Sequence, residues 1–356
     1  MSTPILYNDF PTFLRKYFSY KVQKISLNAG FTCPNRDGTK GWGGCTYCNN
    51  QTFNPDYCRT EKSITTQLQE GKYFFAHKYP EMKYLAYFQA YTNTYAELEG
   101  LKRKYEEALK VDGVVGLVIG TRPDCMPEGL LHYLEELNKH AFLMVEYGIE
   151  STCDKTLQRI NRGHTYAETV EAVERTAACG ILTGGHIILG LPGEGINELR
   201  YTLDKIKELK PESLTVHSLA IKRAAALNIW REKYEDLKFE NSDETVSLAQ
   251  KYAGDIGCMP YYMYRQKNMA GNLENVGYSV PGKECIYNIL IMEVSIMEYL
   301  TATELSKVWN ISTRRIGVLC TDGRVDGAIK KGKMWLIPDT AQKPADARYK
   351  KNKHNA

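Results

Sequence analysis

The chain has 356 residues, 43% of them hydrophobic and 25% charged, with ten cysteines and a formal charge of +4. That length buries a sizeable core and excludes a peptide-like disulfide scaffold. No run of eighteen apolar residues is present, and residues 1–10 lack a basic stretch followed by an apolar one, so neither a membrane span nor a secretory signal is expected. The expected compartment is the cytoplasm, with the thiols reduced. Short apolar runs rich in β-formers predict strands at 25–30, 85–91, 114–121, 142–150, 182–190 and 213–221. Helical patterns fall between them at 64–76, 95–110, 127–140, 166–179 and 197–210. Thr165 followed by Glu168 forms a capping box for the fourth of these helices. Strand–helix alternation argues for a parallel α/β fold. The expected architecture is a partial (β/α)6 TIM-like barrel, with its chemistry at the C-terminal strand ends. An open doubly wound sheet is the competing arrangement. Beyond 221 the rhythm changes. Residues 241–256 read as one amphipathic helix, and 260–287 are aromatic and amide-rich without helical periodicity. Short helices at 301–308 and 312–321, a turn at Asp322, Gly323 and Arg324, and a hairpin over 328–337 follow. The tail, 342–356, is polar, basic and expected to be disordered.

Cys33, Cys45 and Cys48 lie directly after the first predicted strand, spaced C-x11-C-x2-C. The loop contains Gly38, Gly41, Gly43 and Gly44, which lets the backbone approach a bulky inorganic centre. Spacing alone leaves three readings: an iron–sulfur cluster, a zinc site with Cys58 as fourth thiolate, or reduced cysteines with no metal. Cys125, Cys153, Cys179, Cys258, Cys285 and Cys320 have no cluster spacing and read as packing thiols, with Cys58 open.

The segment from Cys33 to Asn50 closely resembles the radical SAM proteins of the YhcC type. The resemblance continues through Y-F-Q-A-Y-T-N-T-Y (87–95), G-T-R-P-D-C (120–125), V-E-Y-G-I-E-S (145–151), R-I-N-R-G-H-T (159–165) and H-I-I-L-G-L-P-G-E (186–194), and covers most of 7–195. It implies a 4Fe-4S cluster on Cys33, Cys45 and Cys48, with the fourth iron binding S-adenosylmethionine. Reductive cleavage of that cofactor would start radical chemistry on a small-molecule substrate, with ferredoxin or flavodoxin as electron donor. Tyr47 is expected near the adenine. Gln89, Thr92, Asn93 and Thr94 stand where many members carry a Gly-Gly-Glu segment for the methionine amine. Glu146 and Glu150 are candidates for ribose or amine contacts, Arg162 for the carboxylate, and Gly190 for a turn on the adenine side.

Downstream, L-T-V-H-S-L-A-I-K-R-A-A-A (214–226) and the long block over 260–294 resemble the C-terminal half of HemZ, the radical SAM coproporphyrinogen III dehydrogenase type. The chain reads as a mosaic joined near Leu191, Pro192, Gly193 and Glu194. A porphyrinogen is therefore the first alternative substrate. Lys222, Arg223, Arg265 and Lys267 are candidates for its propionates. Tyr261, Tyr262, Tyr264 and Tyr278 are candidates for aromatic surface, and Gln266, Asn268, Asn272 and Asn275 for hydrogen bonds.

Residues 294–356 carry twelve Lys or Arg against six Asp or Glu, which leaves the preceding part at −2. This end resembles excisionase-like or MerR-like winged helix-turn-helix modules. Arg314 and Arg315 would begin a recognition helix, and Lys330, Lys331 and Lys333 would sit on a wing near phosphate. Trp309, Ile316, Leu319 and Trp335 read as core. The expected division is 1–222 core barrel, 223–293 HemZ-like extension, 294–341 helix-turn-helix module and 342–356 tail. The alternative of another class is a DNA-binding regulator with a vestigial or redox-sensing barrel; a structural zinc protein is the third reading.

Overall fold

The structure is a computed structural model. It describes residues 21–48, 55–76, 82–89, 91–222, 225–234, 242–255, 257–264, 275–279, 299–325, 328–331, 334–338, 341 and 343–344. The chain forms two compact units, Met1–Leu290 and Ile291–Ala356.

In the first unit the strands are β1 (Lys21–Leu27), β2 (Met82–Phe88), β3 (Val114–Thr121), β4 (Phe142–Glu150), β5 (Leu182–Leu189) and β6 (Ser213–Ser218). Between them lie α1 (Ile64–Ala76), α2 (Leu98–Leu109), α3 (Glu128–Asn138), α4 (Asp154–Arg159), α5 (Tyr166–Ala178) and α6 (Ile196–Leu209). After β6 come α7 (Ala226–Ile229), α8 (Asp243–Asp255), β7 (Met259–Tyr264) and β8 (Asn275–Ser279). The six first strands pair in sequence order, all parallel. β8 joins β6 antiparallel and β7 closes the edge, giving the order β1-β2-β3-β4-β5-β6-β8-β7.

The strands turn alternate residues to the two faces of the sheet. Ile25 and Leu27 of β1, Ala86 and Phe88 of β2, Leu117 and Ile119 of β3, and Val145, Tyr147 and Ile149 of β4 share one buried core with helix residues such as Leu68, Leu101 and Tyr105. Burying each such side chain contributes about 1.5–3 kcal/mol. The opposite face lines a concave interior. Lys24 of β1 reaches Glu146 of β4 at 3.3 Å, although three strand spacings of ~4.8 Å would hold their backbones about 14 Å apart in a flat sheet. The six parallel strands follow sequence order with no reversal, which fits the partial α/β barrel expected for the radical SAM resemblance and not the doubly wound alternative, whose strand order reverses. Gly116 permits the close approach of β3 and β4, since a Cβ there would lie 2.3 Å from the Phe142 carbonyl oxygen.

The predicted capping box is present: Glu168 N donates to Thr165 Oγ1, and Thr165 N donates back to the Glu168 carboxylate. β1 begins and ends earlier than its apolar run suggested. Gly30 N donates to Asn28 Oδ1 and Gly30 takes φ +75°, so this local turn ends the strand at Leu27. The segment predicted as non-helical after 260 supplies β7 and β8. Among the described residues no helix is long and apolar enough to cross a membrane.

The second unit contains β9 (Tyr299–Thr301), α9 (Ala302–Trp309), α10 (Thr313–Thr321), β10 (Ile329–Lys331) and β11 (Met334–Pro338). The strands form one antiparallel sheet in the order β10-β11-β9. Leu305, Trp309, Ile316, Leu319, Cys320, Val325 and Ile337 make its core, with Trp335 packed against them. Ser312 caps α10 by accepting from Arg315 N. Arg314 is exposed at the start of that helix and Arg315 is half-buried. Lys330 and Lys331 lie in β10, and Lys333 lies outside the described residues.

Candidate functional site

The loop after β1 folds on its own backbone. Arg36 N and Asp37 N donate to the Cys33 carbonyl, Gly44 N donates to that of Asn35, and Cys48 N donates to that of Cys45. Gly44 sits at φ +79°, a conformation that favours glycine, and a Cβ there would lie 2.8 Å from Arg36 Nε and displace that side chain. Distant segments hold the loop in place. Thr46 N donates to the Ile160 carbonyl, and Leu227 N donates to that of Thr46. Asn161 Nδ2 donates to the Trp42 and Gly44 carbonyls at 3.1 and 2.8 Å.

Each of the three cysteines has a polar neighbour at its sulfur. The Thr92 hydroxyl lies 2.8 Å from Cys33 Sγ. Asn35 Nδ2 donates to Cys45 Sγ at 3.3 Å and Arg162 Nη1 at 3.5 Å. The Arg36 guanidinium hydrogen-bonds Cys48. Burial pushes the Cys33 and Cys48 thiols upward, and the neighbouring Cys45 adds to this. Thr92 and Arg162 oppose it at Cys33, and Arg36 opposes it at Cys48. Arg162 stays charged. Burial works against that charge, but Tyr47, Cys45 and Glu150 outweigh it. Its Nη2 donates to the Gly148 carbonyl at 2.6 Å and lies 3.5 Å from Glu150 Oε1. Cys58 lies in the main core beside Tyr57, where burial pushes its thiol up to about 12. Among the described residues no three His, Cys, Asp or Glu side chains gather tightly enough to hold a single metal ion.

Two side chains on the Cys45 sulfur keep a buried polar atom without a hydrogen-bond partner, Asn35 Oδ1 and Arg162 Nε; Asn93 Oδ1, Arg122 Nη1 and both ring nitrogens of His164 are further such atoms among the described residues. Arg122, just past β3, binds Asp124 through two hydrogen bonds of 2.9 Å, and Lys40 reaches the same carboxylate at 2.9 Å. Burial raises the Asp124 pKa, but Arg122 and Lys40 outweigh it and hold the group at about 2. Burial, with Arg162 and Arg122 nearby, holds His164 neutral, at about 2.

The other expected site residues are dispersed among several tasks. Tyr47 packs against the apolar cluster of Leu157, Ile160, Ile188, Leu191, Leu219 and Leu227. Gln89 follows β2 and is half-buried. Asn93 Nδ2 donates to the Gly120 carbonyl at 2.8 Å, and the Thr94 hydroxyl meets that of Thr121, so both tie the end of β2 to β3. Glu146 is buried mid-strand with Lys24. Glu150 ends β4 at φ +67°, and Gly190 turns the chain after β5 at φ +77°. Of the residues considered for a porphyrinogen, Tyr278 is buried in the main core, and Asn275 Oδ1 accepts from Ser218 N at 2.7 Å. Neither is free to line a cavity. Lys222 is half-buried near Cys48 and Glu150. Tyr261, Tyr262 and Tyr264 belong to β7, while Arg223, Arg265, Gln266, Lys267, Asn268 and Asn272 lie outside the described residues. Sequence reading missed Asn35 and Arg36 as sulfur neighbours, and Lys24, Tyr87, His186 and His217 on the inner face. A polar residue within an apolar parallel strand was the available signal for this last group.

Comparison with known proteins places this geometry. Residues 32–206 match the Radical SAM superfamily. The chain is 37% identical to YtqA of Bacillus subtilis over 68% of its own length and 75% of that protein. It is 39% identical to YhcC of Escherichia coli K12 over 62% and 71%. It is also 38% identical to the oxygen-independent coproporphyrinogen-III oxidase-like protein HemZ of Bacillus subtilis, over 58% of this chain but 42% of HemZ. The solved structure of coproporphyrinogen III oxidase HemN from Escherichia coli aligns over 93% of this chain and 90% of its own, with TM-score 0.48 and 14% identity. The chain belongs to the radical SAM superfamily, whose enzymes use a 4Fe-4S cluster and S-adenosylmethionine.

Proposed function

We propose that Cys33, Cys45 and Cys48 hold the 4Fe-4S cluster of this radical SAM enzyme, and that Tyr47, Glu150, Arg162 and Gly190 face S-adenosylmethionine beside it. The observation that carries this is the polar surround of the thiols. Each sulfur meets a hydroxyl, amide or guanidinium, and two of these neighbours, Asn35 and Arg162, keep a buried polar atom without a partner. Such donors favour thiolate and cluster charge, and buried atoms without partners mark the place of a group that would satisfy them. When bound there, the cluster and S-adenosylmethionine would supply one-electron reduction of a sulfonium and hydrogen-atom abstraction from substrate. The chain's own residues bind and orient. Arg36 and Arg162 offset negative charge at the sulfurs. Tyr47 and the apolar cluster beneath it give a flat surface suited to adenine. Glu150, turned back toward Arg162, offers an acceptor for an amine or ribose hydroxyl. Thr92 acts through Cys33, while Asn93 and Glu146 are engaged in holding strands. Gln89, half-buried after β2, offers a further polar contact.

Anaerobic reconstitution tests the reading. About four iron per chain and 5′-deoxyadenosine on reduction are expected. Each of Cys33→Ala, Cys45→Ala and Cys48→Ala should abolish that product. Zinc without cleavage product would overturn the proposal.

Two finer readings carry their own tests. The HemZ likeness supports a porphyrinogen substrate. Coproporphyrinogen that releases no carbon dioxide with the reconstituted enzyme counts against it. The exposed Arg314 on the Ser312-capped helix α10 supports DNA contact by the second unit. A mobility shift that weakens steeply with salt and with Arg314→Ala is expected, and salt-insensitive or absent binding removes that reading.

A further inference from the structure

Two adjacent residues past β2 reach the cysteine loop from outside it. The Thr92 hydroxyl lies 2.8 Å from Cys33 Sγ, and the Tyr91 ring centre lies 5.3 Å from Arg36 Cζ. In extended backbone, neighbouring side chains point to opposite sides. Tyr91 instead takes φ +62°, the left-handed region that a bulky residue enters only under constraint. The constraint is visible at the next residue, where Thr92 N donates to the Thr32 carbonyl at 3.2 Å, one position before Cys33. The bend at Tyr91 therefore brings two consecutive side chains to one loop.

Arg36 has a second neighbour in Gly44. A Cβ at Gly44 would lie 2.8, 2.9 and 3.0 Å from Nε, Cζ and Nη2 of Arg36. Near-equal distances to three atoms of one plane lay the face of the guanidinium, not its edge, against the bare glycine. Held by glycine and ring, the same guanidinium hydrogen-bonds Cys48. The two cations at the sulfurs then differ. Arg162 shares its charge with Glu150 at 3.5 Å. At Arg36 burial works against the charge, and Cys48 comes first among the groups that favour it.

We propose that Arg36 raises the reduction potential of the cluster from the Cys48 side, and that Tyr91 is a positioning residue that holds the guanidinium there. This rests on the reading of Cys33, Cys45 and Cys48 as the cluster ligands and adds what tunes their site. One-electron reduction adds one negative charge to the cluster and its thiolates. A cation donating to a ligand sulfur stabilises that added charge and so favours the reduced state. The Tyr91 ring fixes the guanidinium without neutralising it, which a carboxylate in the same place would do.

The experiment is an anaerobic redox titration of the reconstituted protein with dithionite, without S-adenosylmethionine, followed by electron paramagnetic resonance on samples of equal iron content. Arg36→Met should disfavour reduction about tenfold, a downward shift of about 59 mV for a one-electron couple. Tyr91→Leu should shift the potential the same way by less, and Tyr91→Phe, which keeps the ring, should restore the wild-type value. Combined with Arg36→Met, Tyr91→Leu should add nothing, because its effect passes through Arg36. The sign excludes mere loosening of the loop: water admitted to the cluster would stabilise the added charge and move the potential upward. If Arg36→Met fails to take up about four iron, Arg36→Gln serves the same comparisons and should also lower the potential. The proposal falls if removing the Arg36 charge leaves the potential unchanged or raises it. It also falls if Tyr91→Phe lowers the potential as far as Tyr91→Leu, or if Tyr91→Leu keeps its effect when the Arg36 charge is gone. Wild type that takes up no iron is a separate result, and overturns the cluster reading instead.

Discussion

Along β4, Val145, Tyr147 and Ile149 face the helices and are fully buried, while Glu146, Gly148 and Glu150 face the barrel interior. β1 divides in the same way, with Ile25 and Leu27 outward and Lys24 inward. Neighbouring residues on one strand thus belong to different environments. The outer face is continuous and apolar, and its contribution is stability. The inner face spends some of that stability on charge: Lys24 and Glu146 lose hydration and recover part of it through each other, the Tyr87 ring and His186.

The comparison can be broken at the inner face first. Lys24→Met alone leaves a buried carboxylate without its cation and should cost about 3–5 kcal/mol in urea unfolding. Combining it with Glu146→Leu should recover most of that loss. A double variant as unstable as the single would mean that the pair is a net source of stability, and the two faces would not differ as argued. Next, Leu117→Ala on the outer face should cost about 2–5 kcal/mol through its cavity, while folded protein retains its iron. Iron loss in samples that unfold no more easily would contradict the division of labour. The smallest effect is at Glu194, near the end of the β5–α6 connection. Burial raises its pKa to about 6, with Ser151 donating to it at 2.6 Å in opposition. A folded pKa above the unfolded value means a contribution that is complete at low pH and lost as pH rises through about 4.5 to 6. It amounts to about 2 kcal/mol. Glu194→Gln should flatten the stability profile in that window, and an unchanged profile would place the titration elsewhere.

Much of this could be read in the sequence, for identifiable reasons. α1, β3 and β4 follow their apolar runs to the residue, and α5 starts at its capping box. The cysteine loop announced itself because glycines and thiols clustered locally. Two of the sulfur neighbours did not, because Thr92 and Arg162 approach from segments far along the chain. Lys24, His186 and His217 were hidden for a related reason. One polar residue barely disturbs an apolar strand pattern, and only the curl of the sheet brings four strands to one row. Asn93 and Thr94 were expected to face a cofactor, but their side chains hold β2 to β3. Local polarity identifies a residue with unmet hydrogen bonds and cannot say which partner meets them.

The tethering of the cysteine loop also has a consequence in time. Cys45 leaves the ribosome early, yet the groups that frame its loop come late. Asn35 donates to the carbonyl of Asn161, 126 residues along, and Leu227 N closes on the Thr46 carbonyl. At ~5–20 residues per second, roughly ten to forty seconds separate synthesis of the loop from synthesis of its last tether. Iron delivered in that interval would meet three thiols without their frame. On the proposed reading, loading would follow folding, and a nascent chain halted before Leu227 would carry every cysteine of the loop without its last tether.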